Sequence, residues 1–326
     1  MRKAILRGVA IALAMMGASR TLAQGADTPP PSVPTVETIA GIGPVGEWRR
    51  LGTGYLLSEG PAPAPDGTLY FTDYRGGGIF RIDPETDAIS QLIGTNLHAG
   101  GLAVDAEGRI VAAETRQGKI LRIDPATRAI TVLADGIDGT RFNAPNDLAI
   151  DAEGGIYFTD PSNGATLPLA QGKQSVYYVD PAGKVTRVVD YLPHPNGIAL
   201  SPDGASLYVA LTSESEVLGY HVEGPGALSP ASFVFGRVAF TPPTRRGEGA
   251  YTGVDGMAVD AAGNVYTASR FGIEVIDPQG RSLGTIATPE RPSNLKFGGR
   301  DGRTLYVTTY TSIYAVPMAT AGVTRR

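Results

Sequence analysis

Residues 143–160 read NAPNDLAIDAEGGIYFTD: a polar stretch, the short apolar run Leu148-Ala149-Ile150, an Asp-Ala-Glu-Gly turn, and the alternating run Ile156-Tyr157-Phe158-Thr159. Two short strand-forming runs joined by a tight acidic and glycine turn describe a β-hairpin. The plan recurs as SEGPAPAPDGTLYFTD from Ser58, HAGGLAVDAEGRIVAAE from His98 and HPNGIALSPDGASLYVA from His194. GVDGMAVDAAGNVYTAS from Gly253 and PSNLKFGGRDGRTLYVTT from Pro292 complete the set. The turn glycines Gly67, Gly108, Gly154, Gly204, Gly263 and Gly302 stand 39 to 59 residues apart. A period of roughly 40–50 residues with several strands per repeat marks propeller blades. Later strands are visible in Gly78-Ile79-Phe80-Arg81-Ile82-Asp83 and Lys119-Ile120-Leu121-Arg122-Ile123-Asp124, each followed by proline. Helical periodicity is absent here. The expected fold is all-β, a six-bladed β-propeller of four-stranded blades around a central channel. Ring closure is expected between residues 45–57 and the C-terminal strands of residues 305–316.

Eight residues before each turn glycine lies a recurrent slot, occupied in order by Glu59, Gly100, Asn146, Asn196, Asp255 and Asn294. The innermost strand of a blade lines the channel, so a fixed offset places these side chains at one height on its wall. Glu59 and Asp255 bring two negative charges, and Asn146 and Asn196 bring neutral carbonyl oxygens. Two carboxylates and two amides suit one hard divalent cation, Ca²⁺ first, with Zn²⁺, Mg²⁺ and Mn²⁺ as alternatives. Asn294 is in register but reads as structural, and Gly100 reads as space left for substrate. His98 and His194 each stand two residues before a slot, and a period of two puts them on the channel side as substrate or proton-relay groups. Arg141 and Asn143, just upstream of Asn146, are expected to meet substrate oxygens at the mouth. Asp73 and Asp160, closing the Tyr-Phe-Thr-Asp strands, read as turn caps.

The combination Glu59-Gly60-Pro61, Asn143-Ala144-Pro145-Asn146-Asp147, Pro195-Asn196-Gly197 and Asp255-Gly256 resembles the gluconolactonase, regucalcin and luciferin-regenerating-enzyme family over residues 45–316. The resemblance implies a six-bladed propeller whose catalytic divalent metal is held by Glu59, Asn146, Asn196 and Asp255, and hydrolysis of a sugar lactone or related ester. Ala144 stands where regucalcin-like chains carry arginine. A cation in that ring would polarise the substrate carbonyl, and Asp255 is the candidate catalytic residue, as ligand or as general base. The same layout also suits a phosphotriesterase or a sugar lyase or isomerase. A ligand-binding propeller without catalysis has no need of four donors in register.

Composition narrows the rest. A net charge of -4 without a basic run argues against nucleic acid as a partner, leaving a small-molecule substrate and a monomeric chain. Cys is 0, so thiolate catalysis and disulfides are excluded. Arg2, Lys3 and Arg7 precede the apolar residues 9–18 and a small-residue site at Thr21-Leu22-Ala23. Residues 1–23 therefore read as a signal peptide, 24–44 as a Pro-rich linker and 45–326 as the propeller. The chain is expected to be exported, periplasmic or secreted, with no membrane attachment after cleavage. The segment 237–251, with Arg245 and Arg246, is a candidate lid. Gly41-Ile42-Gly43-Pro44-Val45-Gly46 imitates a dinucleotide fingerprint but is not followed by a helix, and no Gly-x-Ser-x-Gly elbow occurs.

Overall fold

The computed structural model describes residues 38–163, 167–238 and 253–323. The signal-peptide segment, the first part of the linker and most of the candidate lid, including Arg245 and Arg246, lie outside the described residues.

At the turn that opens each hairpin, an acidic side chain and a glycine divide the work. Asp151 Oδ1 accepts the N–H groups of Glu153 at 3.0 Å and Gly155 at 2.7 Å, and Asp260 does the same for Ala262 and Asn264. Gly154 then takes φ +85°, a left-handed conformation open to glycine without steric cost. The strands on either side pair as Leu148↔Phe158, Ala149↔Tyr157 and Ile150↔Ile156.

Six four-stranded antiparallel sheets result, a six-bladed propeller. Blade one is Ser58–Pro63, Leu69–Asp73, Ile79–Ile82 and Ile89–Ile93, from the axis outward. Blade two runs Ala99–Val104, Ile110–Glu114, Lys119–Ile123 and Ile130–Ala134. The innermost strands of blades three to five are Leu148–Ile150, Pro195–Leu200 and Met257–Val259. Blade six takes Pro292–Gly298, Thr304–Thr309 and Ser312–Pro317 from the C-terminal end, and its outermost strand, Arg49–Thr53, from the N-terminal end. That pairing, Arg49↔Ala315 through Thr53↔Ser312, closes the ring with the segments the sequence indicates.

Both faces of each blade carry apolar side chains, so the core lies between blades. Six buried clusters occur among the described residues, one at each blade junction. Between blades two and three, for example, Val111, Ala113 and Ile120 meet Phe142, Ile156 and Phe158. Residues 38–44 differ from the linker expectation. Ile42 is buried in the cluster between blades five and six, Ile39 packs against it, and Ala319 donates to Ile42 O at 3.0 Å.

Candidate active site

Antiparallel pairing fixes what shares the upper face of the ring. Ser58 pairs with Asp73, Ala99 with Glu114 and Pro195 with Leu211. The start of each innermost strand, the end of the second and the turn to the third therefore lie together. Across blades, hydrogen bonds complete a circuit around the axis. Thr72 Oγ1 donates to Gly100 O at 3.5 Å, Gly101 N to Asn146 O at 2.5 Å and Thr159 Oγ1 to Asn196 O at 2.7 Å. Thr212 Oγ1 then reaches Val254 O at 2.8 Å, Gly256 N reaches Ser293 O at 2.9 Å and Ser293 Oγ reaches Ser58 O at 2.8 Å. All six slots are drawn to the axis. Gly100 is explained by this closeness rather than by room for substrate: a Cβ there would sit 2.4 Å from Asn146 O.

Three carboxyl groups meet inside the ring. Burial, then the charges of Asp255 and Asp147, hold the Glu59 carboxyl well above the usual carboxylate range, opposed by bonds from Gly60 N and the Asn294 amide. Burial pushes Asp255 up to about 7, and Asp147 adds to the shift; the Arg291 charge and a bond from Asn196 oppose it. Glu59 and Asp255 keep some accessible surface through the channel mouth, but protein surrounds both carboxyl groups and a narrow mouth does not restore bulk hydration. Asp147 is 1% exposed and raised by burial, against Lys296, Leu148 N, Asn294 and Ile198 N. Lys296 Nζ is anchored on Met257 O at 2.7 Å.

The amides are oriented to complement these acids. Asn196 Nδ2 donates to Thr212 Oγ1 at 3.0 Å, and the Asn196 side chain also serves Asp255, which leaves its carbonyl oxygen without a donor among the described residues. The side chain of Asn146 takes no hydrogen bond among the described residues, while its backbone is held by Thr159 O and Gly101 N. No cluster of three or more His, Asp or Glu side chains in metal-holding geometry occurs among the described residues. The sequence-derived donor set is half amide. Two repelling carboxylates beside two uncommitted carbonyl oxygens fit a hard divalent cation.

The flanking residues divide differently from the sequence expectation. Alternation breaks between Ala99 and Leu102 and again between Pro195 and Ile198, so a period of two does not by itself aim His98 and His194 along the channel wall. His98 lines an off-axis cavity of about 460 Å³ with Tyr74, Arg75, Arg116, Arg141 and Asn143 among its walls. Its Nδ1 lies 3.0 Å from Tyr74 O; a carbonyl only accepts, so Nδ1 carries a proton and donates it. His194 adopts φ +50°, a strained left-handed conformation for a side-chain-bearing residue, and burial lowers its pKa. Asn143 spends its amide on the protein, donating to Lys173 O at 2.9 Å and accepting from Gln171 N at 3.0 Å. Asp73 accepts from Leu56 N, Leu57 N and Gly76 N, and Asp160 from Asn143 N and Ala144 N, so both are caps.

A family model described as the SMP-30/Gluconolactonase/LRE-like region matches residues 57–311, well over half of the chain. This protein belongs to that family. Within the SMP-30/gluconolactonase/LRE-like family, it is 31% identical over 293 residues to a gluconolactonase of Zymomonas mobilis, covering 86% of this chain and 79% of that one. It is 31% identical over 267 residues to the pentonolactonase XacC of Haloferax volcanii, covering 80% and 84%. The solved structure of a gluconolactonase from Xanthomonas campestris superposes with a TM-score of 0.74 at 31% identity, covering 83% of this chain and 89% of that one.

Two residues of this family member's axis, Asp147 and Lys296, have no role in the sequence reading, and Asn294 reads there as structural. Asp147 follows its slot where Gly60, Gly101, Gly197 and Gly256 follow theirs, and that single polar exception is the signal. Asn294, 3% exposed, bonds Asp147 Oδ2 at 3.4 Å and also serves Glu59, so its structural role is to hold two acids apart. Lys296 has no sequence signal: only the fold shows that it faces Asp147.

Proposed function

We propose that this protein hydrolyses the ring ester of a sugar lactone, using one divalent cation held by Glu59, Asn146, Asn196 and Asp255. The observation that carries the reading is the axial pair of mutually repelling carboxyls, Glu59 and Asp255, beside amide oxygens left without donors. Relatives bearing the names gluconolactonase and pentonolactonase support the substrate class. The hard-oxygen donor set favours Ca²⁺ over softer ions. When bound, such a cation supplies Lewis-acid stabilisation of charge developing on the ester carbonyl oxygen.

The chain's own groups would do the rest. Asp255 in its ionised form, oriented by Asn196, takes the proton of the attacking water. Arg291 limits how far its carboxyl is raised. Asn294 and Lys296 keep Asp147 from repelling Glu59 further out of place. His98 hydrogen-bonds a hydroxyl of the sugar. The basic and apolar N-terminal pattern supports export of the mature chain, periplasmic or secreted, as a monomer.

The test is hydrolysis of a panel of aldono- and acyl-lactones, followed by acid release, with EDTA-stripped protein and with Ca²⁺, Mg²⁺, Mn²⁺ or Zn²⁺ restored. Turnover recovered by one ion supports the proposal. Tight cation binding without turnover of any lactone would transfer the site to other metal chemistry.

A further inference from the structure

The off-axis cavity over blades one to three has a composition unlike the rest of the molecule. Arg75, Arg116 and Arg141 all line it. Arg75 and Arg116 sit on equivalent turns between the second and third strands of blades one and two, and Arg141 ends the short hairpin Gly136–Ile137 and Thr140–Arg141 that precedes blade three. None of the three is in an ion pair among the described residues. All three are exposed at the cavity wall, so their charges are open to a ligand entering it.

The carboxylates nearest in sequence are occupied by backbone donors, and only Asp160 feels the Arg141 charge, without an ion pair to it. Asp73 caps three backbone N–H groups, Asp160 caps two, and Glu114 accepts from His98 N and Gln117 N. The guanidinium of Arg141 is fixed rather than floppy. Its Nε donates to Phe142 O at 3.1 Å and its Nη2 to Arg116 O at 3.3 Å, leaving Nη1 uncommitted among the described residues. A braced planar fork beside two further guanidiniums is the chemistry that binds carboxylate or phosphate oxygens. The cavity also adjoins the axial ring: Thr115 in its wall donates to Pro145 O at 2.7 Å, one residue from Asn146. His98, two residues before Gly100, lines the same cavity.

We infer that the substrate is an acidic sugar lactone, its ring ester at the axial site and a carboxylate or phosphate at its far end bound by Arg75, Arg116 and Arg141. This rests on the lactone-hydrolase reading above. In a protein of net charge -4, a local cluster of three cations also steers an anionic substrate toward this one face.

The experiment compares kcat/KM for neutral glucono-1,5-lactone, for glucaro-1,4-lactone with its free carboxylate, and for 6-phosphoglucono-1,5-lactone, on the Ca²⁺-loaded protein and on Arg75→Gln, Arg116→Gln and Arg141→Gln. Calorimetric titration with the open-chain acids glucarate and gluconate provides a readout independent of turnover. One acidic lactone should be preferred over the neutral one by at least about tenfold, and which of the two wins tells carboxylate from phosphate. The acidic-to-neutral ratio should fall roughly ten- to hundredfold in Arg75→Gln or Arg116→Gln, the loss expected for one charge-assisted bond, and should shrink as salt is added. Turnover of the neutral lactone with no acidic preference, or a ratio insensitive to all three variants, overturns the inference while leaving lactone hydrolysis standing. No turnover of any lactone, with arginine-dependent binding of glucarate over gluconate, retains the anion site and overturns the lactone reading. Neither turnover nor preferential binding overturns both.

Discussion

Asp255 and Glu59 carry like charges toward the same point, and their roles separate under substitution. Asp255→Ala should lower lactone turnover by about 10²–10⁴-fold, the range for losing a general base, with the fold intact by circular dichroism. Glu59→Ala should weaken cation binding most among the four donors, measured by calorimetry on EDTA-stripped protein. Protons report the same pair. The folded-state pKa of Asp255 is raised from 3.8 to about 7, and Glu59 is raised in the same direction. Without cation, the stability contributed by these groups is fully present below about pH 4 and is lost as pH rises through about 7, because the folded state binds the extra proton. Thermal melts of metal-free protein should therefore decline from pH 5 to 8, while Ca²⁺ should raise the melting temperature more at pH 8 than at pH 5. A metal-free melting temperature that climbed over that window would refute burial, aided by like charge, as the force that raises these carboxyls. The four candidate donors stand out in the sequence because each is tied to a turn glycine by a constant offset. Asp147, Asn294 and Lys296 take their meaning from blades far apart in sequence, and constant offsets say nothing about which blades face each other.

The strands and turns explain both the successes and the misses. The hairpins were legible because alternation and turn chemistry are local: Asp151 and Gly154 do within five residues what the turn requires. The caps Asp73 and Asp160 were legible for the same reason. Removing one should be felt in stability more than in chemistry. Asp73→Ala strands the N–H groups of Leu56, Leu57 and Gly76 and should destabilise the protein by about 1–3 kcal/mol in urea unfolding, with a smaller effect on turnover than Asp255→Ala. The side of the channel taken by His98 and His194 is not fixed by alternation, because bulges, a feature with no composition of its own here, interrupt the period of two beside the slots. Gly100→Ala tests the close approach of blades two and three. Its Cβ would press on the Asn146 carbonyl, so it should cost about 1–3 kcal/mol and weaken cation affinity by displacing Asn146. Unchanged affinity in a folded Gly100→Ala protein would show that Asn146 is not a ligand.

At the scale of the whole ring, no blade stands alone: each apolar cluster belongs to a junction between two of them. Deleting the chain through Thr53 would leave Ser312–Pro317 as an open edge and uncover the Leu51 and Tyr55 side of the junction between blades one and six. That variant should melt at lower temperature and associate on size-exclusion chromatography, as unprotected edges do. The repeat made the ring legible from sequence, and the ends of the chain made the clasp legible. The clasp also has a consequence in time. Its two halves lie far apart in chain order, so in a growing chain Glu59 emerges long before the circle in which Asp255 opposes it can close. A cation held as proposed above would find its donors converged only after that pairing, and its uptake would report ring closure.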